Sequence, residues 1–205
     1  MINSYLIQQI SHNFPYKQTE EQVLAIHILS EFLLSKERDS LLLLKGYAGT
    51  GKTSLVGALV KTMSELKQKS ILLAPTGRAA KVFSGYANQK AYTIHKKIYR
   101  QKVFSNEPSG FLPMDNLHKD TLFIVDEASM INTSSESFFG TGDLLSDLIE
   151  YVFSGAPNTK LLLLGDDAQL PPVFQEYSPA LDVKKLESMG LDVTSHTLTE
   201  VLRQS

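Results

Sequence analysis

Residues Gly46–Thr53 read G-Y-A-G-T-G-K-T, set between the apolar run Leu41–Leu44 and the helix-compatible stretch SLVGALVKTM. This arrangement dictates a strand, a glycine loop and a helix in that order. The glycines let successive backbone N–H groups wrap phosphate oxygens, and the new helix points its positive dipole end at them. At the spacing G-x-x-x-x-G-K-[ST], Lys52 reaches the outer phosphates and the Thr53 hydroxyl can ligate magnesium. Gly46, Tyr47, Ala48, Gly49, Thr50, Gly51, Lys52, Thr53 and Ser54 are therefore the expected cradle for ATP and Mg2+.

The rest of the chain repeats the strand theme. Further short apolar runs occur at Ile71–Ala74, Leu122–Val125 and Leu161–Leu164, each ending at polar or glycine residues and separated by helix-length segments. Buried parallel strands have this pattern, which predicts an α/β fold with a parallel sheet covered by helices. Thr19-Glu-Glu-Gln22 has the form of a capping box opening a helix, with Ala25, Ile28, Leu29 and Phe32 at i, i+3, i+4 and i+7. Pro179 and Gly190 bracket a helix, PALDVKKLESM, and Leu191–Leu198 reads as a last extended stretch. Thr133–Gly142 reads as a surface loop.

At 205 residues with 42% apolar and 20% charged positions, a single domain with a proper core is expected. The chain has no cysteine, which excludes disulfides and thiolate metal sites, and its five histidines lack paired ligand spacing, so zinc is not expected. MINSYLIQQISHNF has no basic region followed by an apolar core, and no apolar stretch approaches the roughly 18 residues of a membrane span. A cytoplasmic location with no membrane partner is the expectation. The net charge of −2 conceals an asymmetry: Ile71–Asn106 carries seven basic residues and no Asp or Glu, leaving 13 basic against all 22 acidic residues elsewhere, a net of −9. That tract is either a solvated helical face or a track for an anionic polymer.

Ligands of open parallel sheets gather at the carboxyl ends of the strands. Asp126 and Glu127 follow one run, where the first suits magnesium and the second suits orienting or deprotonating an attacking water. Another run is followed by G-D-D-A-Q-L-P-P-V, in which the Gln169 amide can donate to a γ-phosphate and accept from the hydrolytic water. The run Ile71–Ala74 is followed by P-T-G-R-A-A-K, whose helix start, with Arg78 and Lys81, suits phosphates other than those of ATP.

In order and spacing, YKQTEEQ, GYAGTGKT, APTGRAAK, TIHKKIY, VDEAS, GDDAQLPPV and LTEVLRQ resemble the motifs of superfamily 1 DNA helicases, most closely the RecD-like, 5′-to-3′ branch, over Tyr16 to Gln204. The resemblance implies a RecA-like P-loop NTPase domain over residues 1–205, the first of two motor domains, acting on single-stranded DNA in replication, recombination or repair beside partner proteins of those processes. It implies that Gln22 reads the adenine edge and that Lys52, Glu127 and Gln169 serve catalysis, with Arg203 stabilising charge on the transferring phosphoryl group. It implies too that Pro75, Thr76, Thr93 and His95 line the DNA. Read from the residues alone, Gln22 can simply close the capping box and His95 can be a packed histidine. Around residues 101–118, the pieces near Phe104 and Phe111 flank a turn-prone N-E-P-S-G and read as a small hairpin, the place where such helicases carry a wedge. The second motor domain is expected beyond this chain, which alone is then expected to bind nucleotide weakly and not to unwind DNA. A P-loop phosphotransferase and a non-hydrolysing, nucleotide-gated DNA-binding module of a recombination or exonuclease complex are the competing functions.

Overall fold

The computed structural model describes residues 2–101, 111–133, 139–155, 157–169, 172 and 176–201. Arg203, Phe104 and the turn N-E-P-S-G lie outside them. Six strands form the main sheet: β1 (Ser40–Gly46), β2 (Lys69–Ala74), β3 (Ala91–Thr93), β6 (Thr121–Val125), β7 (Lys160–Gly165) and β8 (Asp192–Leu198). They run parallel in the order β3-β2-β6-β7-β1-β8. Every anticipated apolar run is one of these strands.

Alternation along the strands divides the core into two layers. Leu42, Leu44, Leu72, Ile124 and Leu162 face one side, under α1 (Ile2–Asn13), α2 (Glu20–Leu34), α3 (Lys52–Glu65) and α4 (Gly77–Ala87). Leu41, Leu43, Leu73, Phe123 and Leu163 face the other, under α5 (Ile94–Ile98), α6 (Leu144–Phe153) and α7 (Val183–Ser188). Both faces being covered explains why the central strands read as unbroken apolar runs rather than alternating ones.

The capping box is formed: the Thr19 hydroxyl accepts from the Gln22 N–H at 3.3 Å, and the Thr19 N–H donates to Gln22 Oε1 at 3.1 Å. PALDVKKLESM is not one helix. A 3-10 turn at Pro179–Leu181 stops at Asp182, whose carboxylate then caps α7 by accepting from the Lys184 and Lys185 N–H groups. A competing side-chain acceptor in mid-segment favours a cap over continued helix.

The end of Thr133–Gly142 is not plain surface loop either. Phe139 stacks on Phe111 with ring centroids 4.3 Å apart, and Thr141 donates through N–H and hydroxyl to Asp147, a buried carboxylate on α6 that also accepts from the Tyr99 hydroxyl. Near the anticipated hairpin, β4 (Tyr99–Gln101) pairs antiparallel with β5 (Phe111–Pro113), and residues 102–110 between them lie outside the described residues. The described part of the pair is Tyr99–Gln101 with Phe111–Pro113, and the piece around Phe104 lies outside the described residues.

Candidate active site

The strand order brings the chemistry-bearing ends together. β1 delivers Gly46 and the glycine loop; β7, its neighbour, delivers Asp166; β6, beyond β7, delivers Asp126 and Glu127. A cleft of about 580 Å³ opens there, lined by Gln22, the loop from Tyr47 to Ser54 except Thr50, Tyr86, Asp126, Glu127, Asp166 and Gln169. Lys52 and Asp126 face the same space, close enough that Asp166, Asp126 and Glu127 all stabilise the Lys52 ammonium. Burial nonetheless leaves that ammonium with a lowered pKa.

The loop is shaped to leave donors free. Gly49 and Gly51 have φ of 81° and 89°, the left-handed region that favours glycine. Gly51 is the N-cap of α3 and supplies no side-chain cap, whereas Thr19, Thr76, Thr93, Asp143 and Asp182 cap α2, α4, α5, α6 and α7. The first N–H groups of α3 are therefore available to an anion, as a phosphate site requires. Lys52 Nζ donates to the Gly46 carbonyl and, at 2.9 Å, to that of Tyr47. Thr53 and Ser54, at the start of α3, border the cleft.

Gln22 sits beneath the loop with both ends of its amide in use. Nε2 donates to the Thr50 carbonyl at 3.0 Å while Oε1 closes the capping box, and the residue is 1% exposed. It props the phosphate loop from α2.

Asp126 is held at both carboxylate oxygens: Oδ1 accepts from the Glu127 N–H at 2.9 Å and Oδ2 from the Tyr86 hydroxyl at 2.8 Å. Burial raises its pKa, opposed by those two bonds and by Lys52. Burial and the adjacent carboxylate push the Tyr86 hydroxyl far above the usual phenol range, so it acts as a donor. Glu127 lies in the left-handed region at φ 56°, ψ 38°. Such strain in a non-glycine residue costs on the order of 1–3 kcal/mol and collects at functional sites. Gln169 Oε1 accepts from the Ser129 hydroxyl at 2.8 Å, which turns the amide NH2 outward, on a residue bordering the same cleft.

Thr53 and Asp126 bring hard oxygen donors to the cleft, a donor set that fits magnesium. That ion takes one or two protein oxygens and fills its remaining positions from water and phosphates.

The residues expected to line DNA lie at the same edge of the sheet. Ala74 is in register with Thr93, so Pro75–Thr76 and Thr93–His95 emerge side by side from β2 and β3. Thr76 and Thr93 hydroxyls cap α4 and α5 by accepting from the Ala79 and Lys96 N–H groups, which leaves each hydroxyl hydrogen free to donate. Arg78 and Lys81 are exposed on α4. His95 is half-buried, edge-on to Phe139 at 5.0 Å and 5.8 Å from Tyr99, and burial lowers its pKa. Elsewhere in the basic tract, Lys90 and Lys97 stand over the Tyr92 ring at 5.1 and 5.6 Å. Tyr86 goes unmarked in the sequence, and Ser129, though it closes the motif VDEAS, has no role assigned there: a tyrosine inside a helix and a serine after an acidic pair do not reveal their partners, 40 residues away in each case.

Residues 21–205 match the AAA domain family. The chain belongs to that family. This AAA domain is 32% identical to the ATP-dependent RecD2 DNA helicase of Deinococcus radiodurans over 134 residues, 65% of the chain and 16% of that protein. It is 30% identical to the RecD subunit of the RecBCD enzyme of Haemophilus influenzae, over 81% of the chain and 27% of that protein. To the ATP-dependent DNA helicase dda of Enterobacteria phage T4 it is 28% identical, over 76% of the chain and 33% of that protein. The AAA domain thus spans about a third or less of the length of these relatives. The Pif1 helicase of Candida albicans shares its fold, with a TM-score of 0.53 and 18% identity over 92% of this chain and 41% of that one. No described helix is long and apolar enough to cross a membrane.

Proposed function

We propose that this AAA domain is the ATP-hydrolysing first motor domain of a RecD-like DNA helicase, working 5′-to-3′ on single-stranded DNA in the cytoplasm, in replication, recombination or repair. The observation that carries this reading is the convergence of Lys52, Asp126, Glu127 and Gln169 on one cleft, at the sheet edge where the Thr76–Thr93 track also emerges. ATP would lie with its phosphates at the open N-terminus of α3. Lys52 would release the Gly46 and Tyr47 carbonyls to meet the outer phosphates. Thr53 and Asp126 would hold magnesium, which neutralises charge developing on the phosphoryl oxygens.

Glu127 is the group for water activation, and its left-handed backbone sets the direction in which its side chain leaves the chain beside Asp126. Gln169, oriented by Ser129, offers its amide hydrogens to the γ-phosphate region. Arg203 completes the charge stabilisation, with a second motor domain closing over the cleft. Thr76, Thr93, Arg78, Lys81 and Pro75 would hold the strand chiefly by its phosphates, with little base readout, and His95 would serve as a packed border of that track. Gln22, committed to Thr19 and Thr50, would act on the nucleotide through the loop and would meet an adenine edge only by releasing one of those bonds.

The test is the ATPase rate of the full-length protein with and without single-stranded DNA, alongside Lys52→Ala and Glu127→Gln. Stimulation by DNA, lost in both variants, is expected. Turnover indifferent to DNA but raised by a small phosphate acceptor would replace the motor reading with a phosphotransferase. ATP-dependent DNA affinity without turnover would replace it with a nucleotide-gated binding module.

A further inference from the structure

Tyr86 occupies a junction that the proposed reaction does not by itself require. It belongs to α4, whose far end is locked to the sheet: the Ser84 hydroxyl accepts from the Ala91 N–H at 2.8 Å, and the Gln89 amide donates to the Ser70 carbonyl at 2.9 Å. Its ring stacks on Phe83, a fully buried residue, with centroids 5.0 Å apart and planes inclined by 24°. Its backbone carbonyl rests over Gly57, where an added Cβ would meet that oxygen at 3.5 Å, so α4 lies close against the helix that begins at the phosphate loop. Its hydroxyl reaches Asp126 Oδ2 at 2.8 Å.

One residue therefore links the two: its backbone lies against α3, which carries Thr53, and its hydroxyl holds the carboxylate of Asp126. We propose that Tyr86 is a positioning residue for magnesium: it fixes the Asp126 carboxylate relative to Thr53, so that the two oxygen donors sit at the separation a metal-bound triphosphate needs. Octahedral coordination tolerates little error in donor placement, and a bond from outside the coordination sphere is the usual means of setting it. With Oδ1 taken by the Glu127 N–H and Oδ2 by Tyr86, rotation of the carboxylate is blocked and its remaining lone pairs are fixed in direction. Lys52, Glu127 and Asp166 are the charged groups facing it across the cleft, and none supplies this constraint.

The inference rests on the nucleotide reading of the cleft, and the test separates the two. In full-length protein, binding of a fluorescent ADP analogue is titrated with magnesium present and with the metal chelated, for the unaltered chain, Tyr86→Phe and Phe83→Leu. Tyr86→Phe keeps the ring and removes only the hydroxyl. It is expected to weaken nucleotide binding about tenfold in magnesium and not at all in chelator, to raise the magnesium concentration at half-maximal binding by a similar factor, and to recover at high magnesium. Phe83→Leu, which loosens the same helix, is expected to lower the melting temperature without a magnesium-specific loss. An unchanged magnesium dependence in Tyr86→Phe, or an equal loss with and without metal, overturns the positioning role. Absence of nucleotide binding in the unaltered chain overturns the reading of the cleft instead, and this inference with it.

Discussion

Replacing Gln22 by Glu isolates the contact between α2 and the phosphate loop. The substitution conserves shape and keeps an acceptor for the Thr19 N–H, since either residue closes a capping box. It converts the donor facing the Thr50 carbonyl at 3.0 Å into an acceptor, at a site 1% exposed. The lost hydrogen bond is worth about 1 kcal/mol, and two facing buried acceptors add about 1–3, so a destabilisation of about 2–4 kcal/mol is expected at neutral pH. A protonated carboxyl can donate to Thr50 again, so the introduced group has a folded-state pKa above the roughly 4.3 of a free glutamate. The folded chain then binds the extra proton: stability is retained below that unfolded value and is lost as pH rises through the raised folded one, by up to about 1.4 kcal/mol per pH unit. Urea unfolding at pH 5 and pH 8 measures it, with Gln22→Ala as the reference that loses the bond without a titratable group. Nucleotide affinity should fall in parallel, because the loop has lost its support. Gln22→Glu as stable as the unaltered chain at pH 8 would refute the argument.

Three further outcomes follow from the geometry. Gly140→Ala should cost about 3 kcal/mol or more in denaturant unfolding, because φ is +50° and a Cβ would lie 2.0 Å from Asp147 Oδ2 and 2.6 Å from the Tyr99 ring; a loss below about 1 kcal/mol would show that the Asp147 network yields freely. The Glu21 carboxylate accepts from the Thr199 N–H and hydroxyl and the Glu200 N–H, which lowers its pKa. Its contribution is present above the ordinary glutamate value and lost as pH falls through the depressed folded one, so protection of the Thr199 and Glu200 amides against exchange should rise with pH from the depressed value to the ordinary one and show no such step in Glu21→Gln. His95 should titrate below the ordinary histidine value in an NMR pH series, because burial disfavours its charged form; a midpoint above that value would mean a carboxylate or phosphate partner instead.

The central strands were readable because burial on both faces writes itself as uninterrupted Leu, Ile and Val, and α2 because its capping box is local. The phosphate loop was readable for the same reason: its geometry depends on glycines at fixed offsets. α1 was not anticipated: of its apolar residues only Leu6 and Ile10 are buried, Ile2 and Tyr5 being exposed, and only its packing on α2 and α3 gives it a role. The break at Asp182 turned on one side chain choosing the backbone of its own segment. Phe139, Gly140 and Thr141 looked like loop because their partners, Phe111, Tyr99 and Asp147, are brought near only by the tertiary fold. Within the site, the residues proposed to touch a triphosphate carry motif spacing, whereas Tyr86, which holds one of them in place, does not. Gln22 shows the difficulty, because a capping glutamine and a base-reading glutamine share one sequence signature.

β1 hydrogen-bonds to β7 and β8, with Leu41 opposite Leu161 on one side and Val193 on the other. On a ribosome the four consecutive leucines of β1 therefore emerge long before either flanking strand exists. Until Leu198 has been added, the glycine loop hangs from a strand missing a neighbour. At about 5–20 residues per second that interval lasts on the order of ten seconds or more, during which a sticky, aggregation-prone segment needs shelter. A sheet wired so that its opening strand waits for its closing one leaves the leucines of β1 without either partner through most of the domain's synthesis, and a chain lacking β8 would keep β1 with one neighbour in place of two.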